Sequence, residues 1–286
     1  MIENSWPDWP GDFCYNKLRT KQGGNDMTRL HATFYSDTLR MDMHLNILVP
    51  QNCERTPDAI RQKRRPPYRV LYLLHGLSSN EDGWLRFTSL ERYARDLDLV
   101  IVMPTTHRGF YMNTAKAYAY SDFISLELPA YIQNLLPVSS KREDTFIAGA
   151  SMGGYGALKA AFTYPEQYGY VASLSGVTDI SARYQDGPDP KSPFEFDLLF
   201  GGQDPKDTDK DIYHLVDQAL QADIDLPQVF LTCGKEDALI EQNHDFKTRY
   251  QDQLQLTFQE GEGGHGWDYW DEHIQDVLDW LPGLSK

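Results

Sequence analysis

The chain has 286 residues, and its 42 acidic against 27 basic side chains give a formal net charge of −15 that disfavours nucleic acid and anionic membrane surfaces as partners. With 41% hydrophobic and 13% aromatic residues it can bury a sizeable core, which excludes a disordered protein, and no stretch approaches the length of a transmembrane helix. Three cysteines, Cys14, Cys53 and Cys233, are an odd number at wide spacing, which argues against a disulfide framework or a Cys-x-x-Cys metal site and for a reduced, cytoplasmic setting.

Residues 1–26 are rich in aromatics, Pro and Gly, with Trp6 and Trp9 beside Pro7 and Pro10, and read as an extended arm covering a hydrophobic patch or a subunit neighbour. The segment lacks a basic region followed by an apolar run, so it does not read as a signal peptide. The rest, residues 27–286, shows no break in composition and is read as one α/β domain. Met27 to Pro50 alternates as two strands meeting near Asp37, an antiparallel hairpin. A polar loop to Pro67 follows, its basic cluster Arg61 to Arg65 expected to be solvated.

Arg69 to Leu74 is a short buried strand that runs directly into His75-Gly76-Leu77-Ser78-Ser79-Asn80. Loops at strand C-termini are where α/β sheets bind ligands. His75 is expected to shape this loop and contact substrate, and Gly76 to permit close approach. Asp96 to Pro104 gives another strand, and the loop Thr105 to Ala117 beyond it, with His107 and Tyr111, is expected to line a pocket. Ser121 to Leu136 has helical spacing, with a kink or a new start at Pro129.

The centre of the pattern is Asp144 to Tyr164, where an apolar strand enters Gly149-Ala150-Ser151-Met152-Gly153 and then an Ala-rich helix stopped by Pro165. This is a nucleophile elbow: a serine on a strained turn, flanked by glycines that let strand and helix approach. The Met152 amide then sits at a helix N-terminus, where negative charge is favoured, as an oxyanion hole requires. The second donor in this geometry comes from the loop after the Arg69–Leu74 strand, and is assigned to the Leu77 amide.

Gly169 to Gly176 is a strand of small residues. Residues 177–211, dense in Pro and Phe, interrupt the β-α alternation and read as a cap or lid. After a helix (Asp211 to Ala222) and a strand (Gln228 to Thr232), Asp237 falls in a strand-end loop. A helix (Ala238 to Gln251) and a strand (Leu254 to Gln259) then lead to His265, again in a loop after a strand, and to a last amphipathic helix.

Ser151, Asp237 and His265 thus stand at one sheet edge in the order nucleophile, acid, base, which suits acyl transfer through a serine. Glu236 is the rival for the acid, because adjacent loop residues cannot be ordered by spacing. The run Gly261-x-Gly263-x-x-Gly266 matches a dinucleotide fingerprint in form, but no βαβ unit follows it. A metal site from His265, Asp268 and His273 lacks a recognised ligand spacing.

The runs LLHGLSSNEDGW (73–84), RGFYMN (108–113), DFISLELPAYI (122–132), GASMGGYGALKAAF (149–162), CGKEDALIEQN (233–243) and GGHGWDYW (263–270) resemble the esterase D group of α/β-hydrolases. The likeness is greatest to tributyrin esterases, with S-formylglutathione hydrolases and feruloyl esterases as relatives. It implies an α/β-hydrolase fold and a cofactor-free, homo-oligomeric serine carboxylesterase acting on short-chain acyl esters. Ser151, Asp237 and His265 would be its triad, with Leu77 and Met152 as oxyanion donors. A thioester or aryl-ester hydrolase or an acyltransferase would use the same triad, and a non-catalytic binding module is the alternative of a different class.

Overall fold

The computed structural model describes residues 27–54, 56–185 and 196–284. The expected arm over residues 1–26 and residues 186–195 of the expected cap lie outside the described residues. Eight strands form one sheet in the spatial order β1 (Met27–Ser36), β2 (Met41–Pro50), β4 (Leu99–Pro104), β3 (Arg69–Leu74), β5 (Thr145–Ala150), β6 (Tyr170–Leu174), β7 (Gln228–Gly234) and β8 (Leu256–Gly261). β2 pairs antiparallel with β1 and with β4, and every other pairing is parallel.

The described helices are α1 (Asp58–Lys63), α2 (Gly83–Phe87), α3 (Leu90–Ala94), α4 (Tyr120–Asp122), α5 (Leu128–Leu135), α6 (Met152–Thr163), α7 (Ile180–Gln185), α8 (Phe196–Phe200), α9 (Ile212–Gln221), α10 (Ile240–Tyr250) and α11 (Trp267–Trp280). Side chains alternate across each strand, so Val70, Tyr72 and Leu74 pack towards α5, α6, α9 and α10, while Leu71 and Leu73 pack towards α2, α3 and α11. A parallel sheet covered on both faces needs strands that are apolar at successive positions, which is why β3, β4 and β5 read as unbroken apolar runs.

The topology opens the crevice that the site occupies. From β3 the chain crosses one face through α2 and α3 to β4, then returns over the other face through α4 and α5 to β5. The loops leaving the adjacent C-terminal ends of β3 and β5 therefore diverge to opposite faces, and such a switch point leaves room for a ligand.

The expectation of a solvated loop before Pro67 changes. The polar stretch before Pro67 contains α1, whose Asp58 in the first turn and Arg61 and Lys63 in the last turn suit the helix dipole. Its basic cluster is not wholly solvated either, since Arg64 is buried and its Nη1 donates to the Gln51 carbonyl at 2.8 Å. The segment after Asn80, to which the sequence pattern assigns no element, folds into α2 and α3 and buries Trp84, whose indole N–H donates to the Leu74 carbonyl at 3.0 Å. At Pro129, which lies in the first turn of α5 behind a π-helical turn, Phe123–Glu127, the helix makes the new start that is one of the two outcomes expected there. Glu127 of that turn accepts from the Asp37 amide at 2.7 Å and so ties the β1–β2 turn to the helix layer.

Candidate active site

Ser151 follows β5 directly with φ 56° and ψ −118°, a conformation that a residue with a Cβ adopts only under constraint. The constraint is close packing of α6 against the sheet. A Cβ at Gly149 would lie 2.4 Å from the Gly153 carbonyl carbon and oxygen, and one at Gly153 would lie 2.5 Å from the Leu74 carbonyl oxygen. Both contacts are with backbone, which cannot swing aside. Gly149→Ala is therefore expected to lower stability by about 3 kcal/mol, the upper end for overpacking, and to lower the melting temperature measurably. A melting temperature equal to the parent's would show that the elbow is not held by this contact.

His265 and Asp237 reach the serine by way of β8 and β7. Their final residues Gly234 and Gly261 are paired in register, and the Glu236 amide donates to the Gly263 carbonyl at 3.1 Å. The Glu236 carboxylate in turn accepts from the Gly263 amide at 2.6 Å. Glu236 thus faces the loop backbone and is exposed, whereas Asp237 turns inward and is buried. The loop after β8 then spans the ends of β7 and β6 to reach β5, three strand spacings or about 14 Å.

At the end of that span His265 Nε2 lies 2.8 Å from Ser151 Oγ, and its Nδ1 lies 2.9 Å from Asp237 Oδ2 and 3.1 Å from Oδ1. Burial pushes the Asp237 carboxyl up. The His265 hydrogen bond and the Leu239 amide, which donates to Oδ1 at 2.8 Å, outweigh it and hold the group below its ordinary value. A carboxylate on Nδ1 leaves Nε2 free to accept the Ser151 proton, so the arrangement can generate an alkoxide-like nucleophile. Met152 opens α6, and among the described residues neither its amide nor that of Leu77 has an acceptor.

The remaining residues singled out in the sequence divide. Gly76 stands against the serine: a Cβ there would be 3.6 Å from Ser151 Cβ and 3.4 Å from the Ala150 carbonyl oxygen. His107 is exposed in the loop after β4, its Nδ1 at 3.0 Å from the Tyr120 hydroxyl. His75 and Tyr111 differ from expectation, being 1% and 2% exposed, beneath the crevice rather than along it. The His75 Nδ1–H donates to the Gly76 carbonyl at 2.8 Å, and Nε2 accepts from the Thr106 amide at 3.1 Å. The Tyr111 hydroxyl donates to the His75 carbonyl at 2.9 Å. Together they fasten the loop after β3 to the loop after β4.

Burial pulls His75 down from 6.5 to about 4; the Gly76 carbonyl opposes this and the nearby His107 adds to it. Between those values the unfolded chain binds a proton that the native state refuses, so this contribution is complete above pH 6.5 and is lost as pH falls towards 4. Stability is expected to fall by about 3 kcal/mol across that interval on account of His75, and His75→Asn to flatten this limb of the denaturation curve. An unchanged slope in the variant would assign the limb to other groups.

Sequence reasoning missed Ser175 and Trp270. Trp270 lies perpendicular to the His265 ring with centroids 5.2 Å apart, and its indole N–H donates to Ser175 Oγ at 3.2 Å. Trp270 falls in the 263–270 run and Ser175 in the small-residue segment 169–176, but no spacing pairs them, because their contact joins the end of β6 to α11 across a long stretch of sequence.

The chain matches the family described as "Putative esterase" over residues 36–281. Among curated proteins it is similar to an acetyl esterase of Caldicellulosiruptor saccharolyticus, 28% identical over 268 residues that cover 91% of this chain and all of that protein. Among solved structures it is similar to FphF, a fluorophosphonate-binding serine hydrolase of Staphylococcus aureus. The two share 32% identity and a TM-score of 0.80 over 89% of this chain and 98% of that one. It is also similar to S-formylglutathione hydrolase FrmB of the same organism, at 33% identity, a TM-score of 0.78 and the same coverage. A ferulic acid esterase shares the fold at 21% identity and a TM-score of 0.69, covering 90% of this chain and 98% of that one.

Proposed function

The chain belongs to the "Putative esterase" family and is a serine ester hydrolase, and from that premise we propose that it cleaves short-chain acyl esters through an acyl-enzyme on Ser151. The observation that carries the reading is the hydrogen-bonded run from Ser151 Oγ through His265 to Asp237. His265 Nε2 takes the hydroxyl proton as Ser151 Oγ attacks the ester carbonyl. The Leu77 and Met152 amides donate to the oxygen that becomes negative. His265 returns the proton to the leaving alkoxide, then activates the water that releases the acid.

A short acyl group is supported by the acetyl esterase relative and by close walls at the nucleophile. A Cβ at Gly76 would already lie 3.9 Å from Trp270 and 3.6 Å from Ser151 Cβ. A second reading, thioester hydrolysis, draws on the 33% identity to an S-formylglutathione hydrolase. We read the enzyme as cytoplasmic and homo-oligomeric, on the wide cysteine spacing and the family resemblance; light scattering tests the second point.

The deciding experiment is the initial rate on p-nitrophenyl acetate, butyrate, hexanoate and octanoate, on tributyrin and on S-formylglutathione, with Ser151→Ala as blank. Rates should peak at acetate or butyrate and fall about tenfold or more by octanoate, as each misfitting methylene costs 1–3 kcal/mol. Equal rates on octanoate would overturn the short-chain preference, and a dominant rate on S-formylglutathione would establish the thioester reading.

A further inference from the structure

We propose that Trp270 and Ser175 are positioning residues for the Asp237–His265 pair, one indole holding both members at once. The inference rests on the triad reading above. Trp270 meets the imidazole directly, its ring at 86° to His265 with centroids 5.2 Å apart. It meets the carboxylate indirectly, through the indole N–H on Ser175 Oγ at 3.2 Å.

Ser175 directly follows β6, the strand that the His265 loop must cross, and it is fully buried there. It has φ 49°, and its amide donates to the Thr232 carbonyl of β7 at 2.7 Å, so its position is fixed by the neighbouring strand. Ser175 Oγ accepts from Trp270, which leaves its own proton for another acceptor, and hydrogen bonding from Ser175 is among the causes that hold the Asp237 carboxyl below its ordinary value.

Other titratable groups face the carboxylate, and the Cys233 thiol hydrogen-bonds with both Asp237 and Ser175. Burial pushes the Cys233 thiol of β7 up to about 12 and the Tyr269 phenol of α11 up to about 12, so both stay neutral. Glu236 is engaged with the Gly263 amide. Ser175 is therefore a neutral donor that spreads the carboxylate charge and fixes its rotation, while Trp270 bars the imidazole from tilting away from Ser151 Oγ. A tilt of about 1 Å in a reacting group can cost 10²-fold in rate.

The test uses the full chain with Ser175→Ala, Trp270→Phe and the double variant, following kcat and kcat/KM against pH on p-nitrophenyl acetate. Ser175→Ala removes a donor from the carboxylate, leaving its charge more concentrated on His265. The acid limb of kcat/KM should move to higher pH and kcat should fall about tenfold with KM little changed. Trp270→Phe should lower kcat by a similar factor, and the double variant should be no slower than the slower single one within about twofold, because the two act in series. The low-field His265 Nδ1–H proton resonance should shift in both single variants, which reports the pair independently of turnover.

Singles within twofold of the parent with an unmoved limb, or losses that multiply in the double variant, would overturn the proposal. A loss of rate with neither limb nor resonance moved would assign the residues a packing role only, which overturns it too. Failure of the triad reading is distinguishable, since Ser151→Ala would then remain active.

Discussion

Ser151→Ala is expected to lower turnover of p-nitrophenyl acetate by about 10⁶-fold, to the level left by the oxyanion donors and binding alone. The reason is chemical: the acyl group has no oxygen to transfer to, and His265 has no proton to take at 2.8 Å. The fold should survive, because Ser151 makes its backbone bonds through its amide to the Leu174 carbonyl at 2.9 Å and through its carbonyl to the Tyr155 amide at 3.1 Å. Ser151→Gly should be equally inactive yet more stable than the parent by roughly 1–3 kcal/mol, since glycine relieves the positive φ. Burst kinetics, a fluorophosphonate label and a thermal melt check the set. A labelled, active Ser151→Ala protein would move the nucleophile elsewhere.

Asp237→Asn is expected to lower kcat by about 10⁴-fold while leaving KM and the fold close to the parent's. The amide would put an N–H where Nδ1 now meets a carboxylate oxygen at 2.9 Å. That forces Nδ1 to accept, places the ring proton on Nε2, and points a donor at Ser151 Oγ. The carboxylate's lowered proton affinity matters equally, for an acid held ionised by His265 and the Leu239 amide stays charged through the working pH range. Glu236→Gln, by contrast, should lose under about fivefold, because its carboxylate serves the Gly263 amide and an amide oxygen can accept the same bond. The two kcat values measured side by side decide the assignment; a reversed order would make Glu236 the acid.

Ser151, Asp237 and His265 could be placed at strand ends from sequence because each lies where an apolar run stops at a glycine-containing turn, and both signals are local. The order of Asp237 and Glu236 could not be read, since neighbouring residues share a loop and differ only in which one the fold turns inward. His75 shows the same limit: the strand-end position was readable, but its burial at 1% exposure and its two backbone partners depend on the loop after β4. α2 and α3 were missed because two five-residue helices hold no full amphipathic period to detect.

By itself, then, the sequence determined the α/β alternation, the antiparallel start, the elbow and the sheet edge that bears the reactive residues. These follow from periodicities of two and 3.6 and from glycines at fixed offsets, all of which act over a few residues. The tertiary structure alone decided the strand order that opens the crevice between β3 and β5, the choice of Asp237 over Glu236 as the partner of His265, and the Trp270–Ser175 support beneath them. Those features join residues separated by tens of positions, and only packing of the two helical layers on the sheet fixes which side chains then face each other.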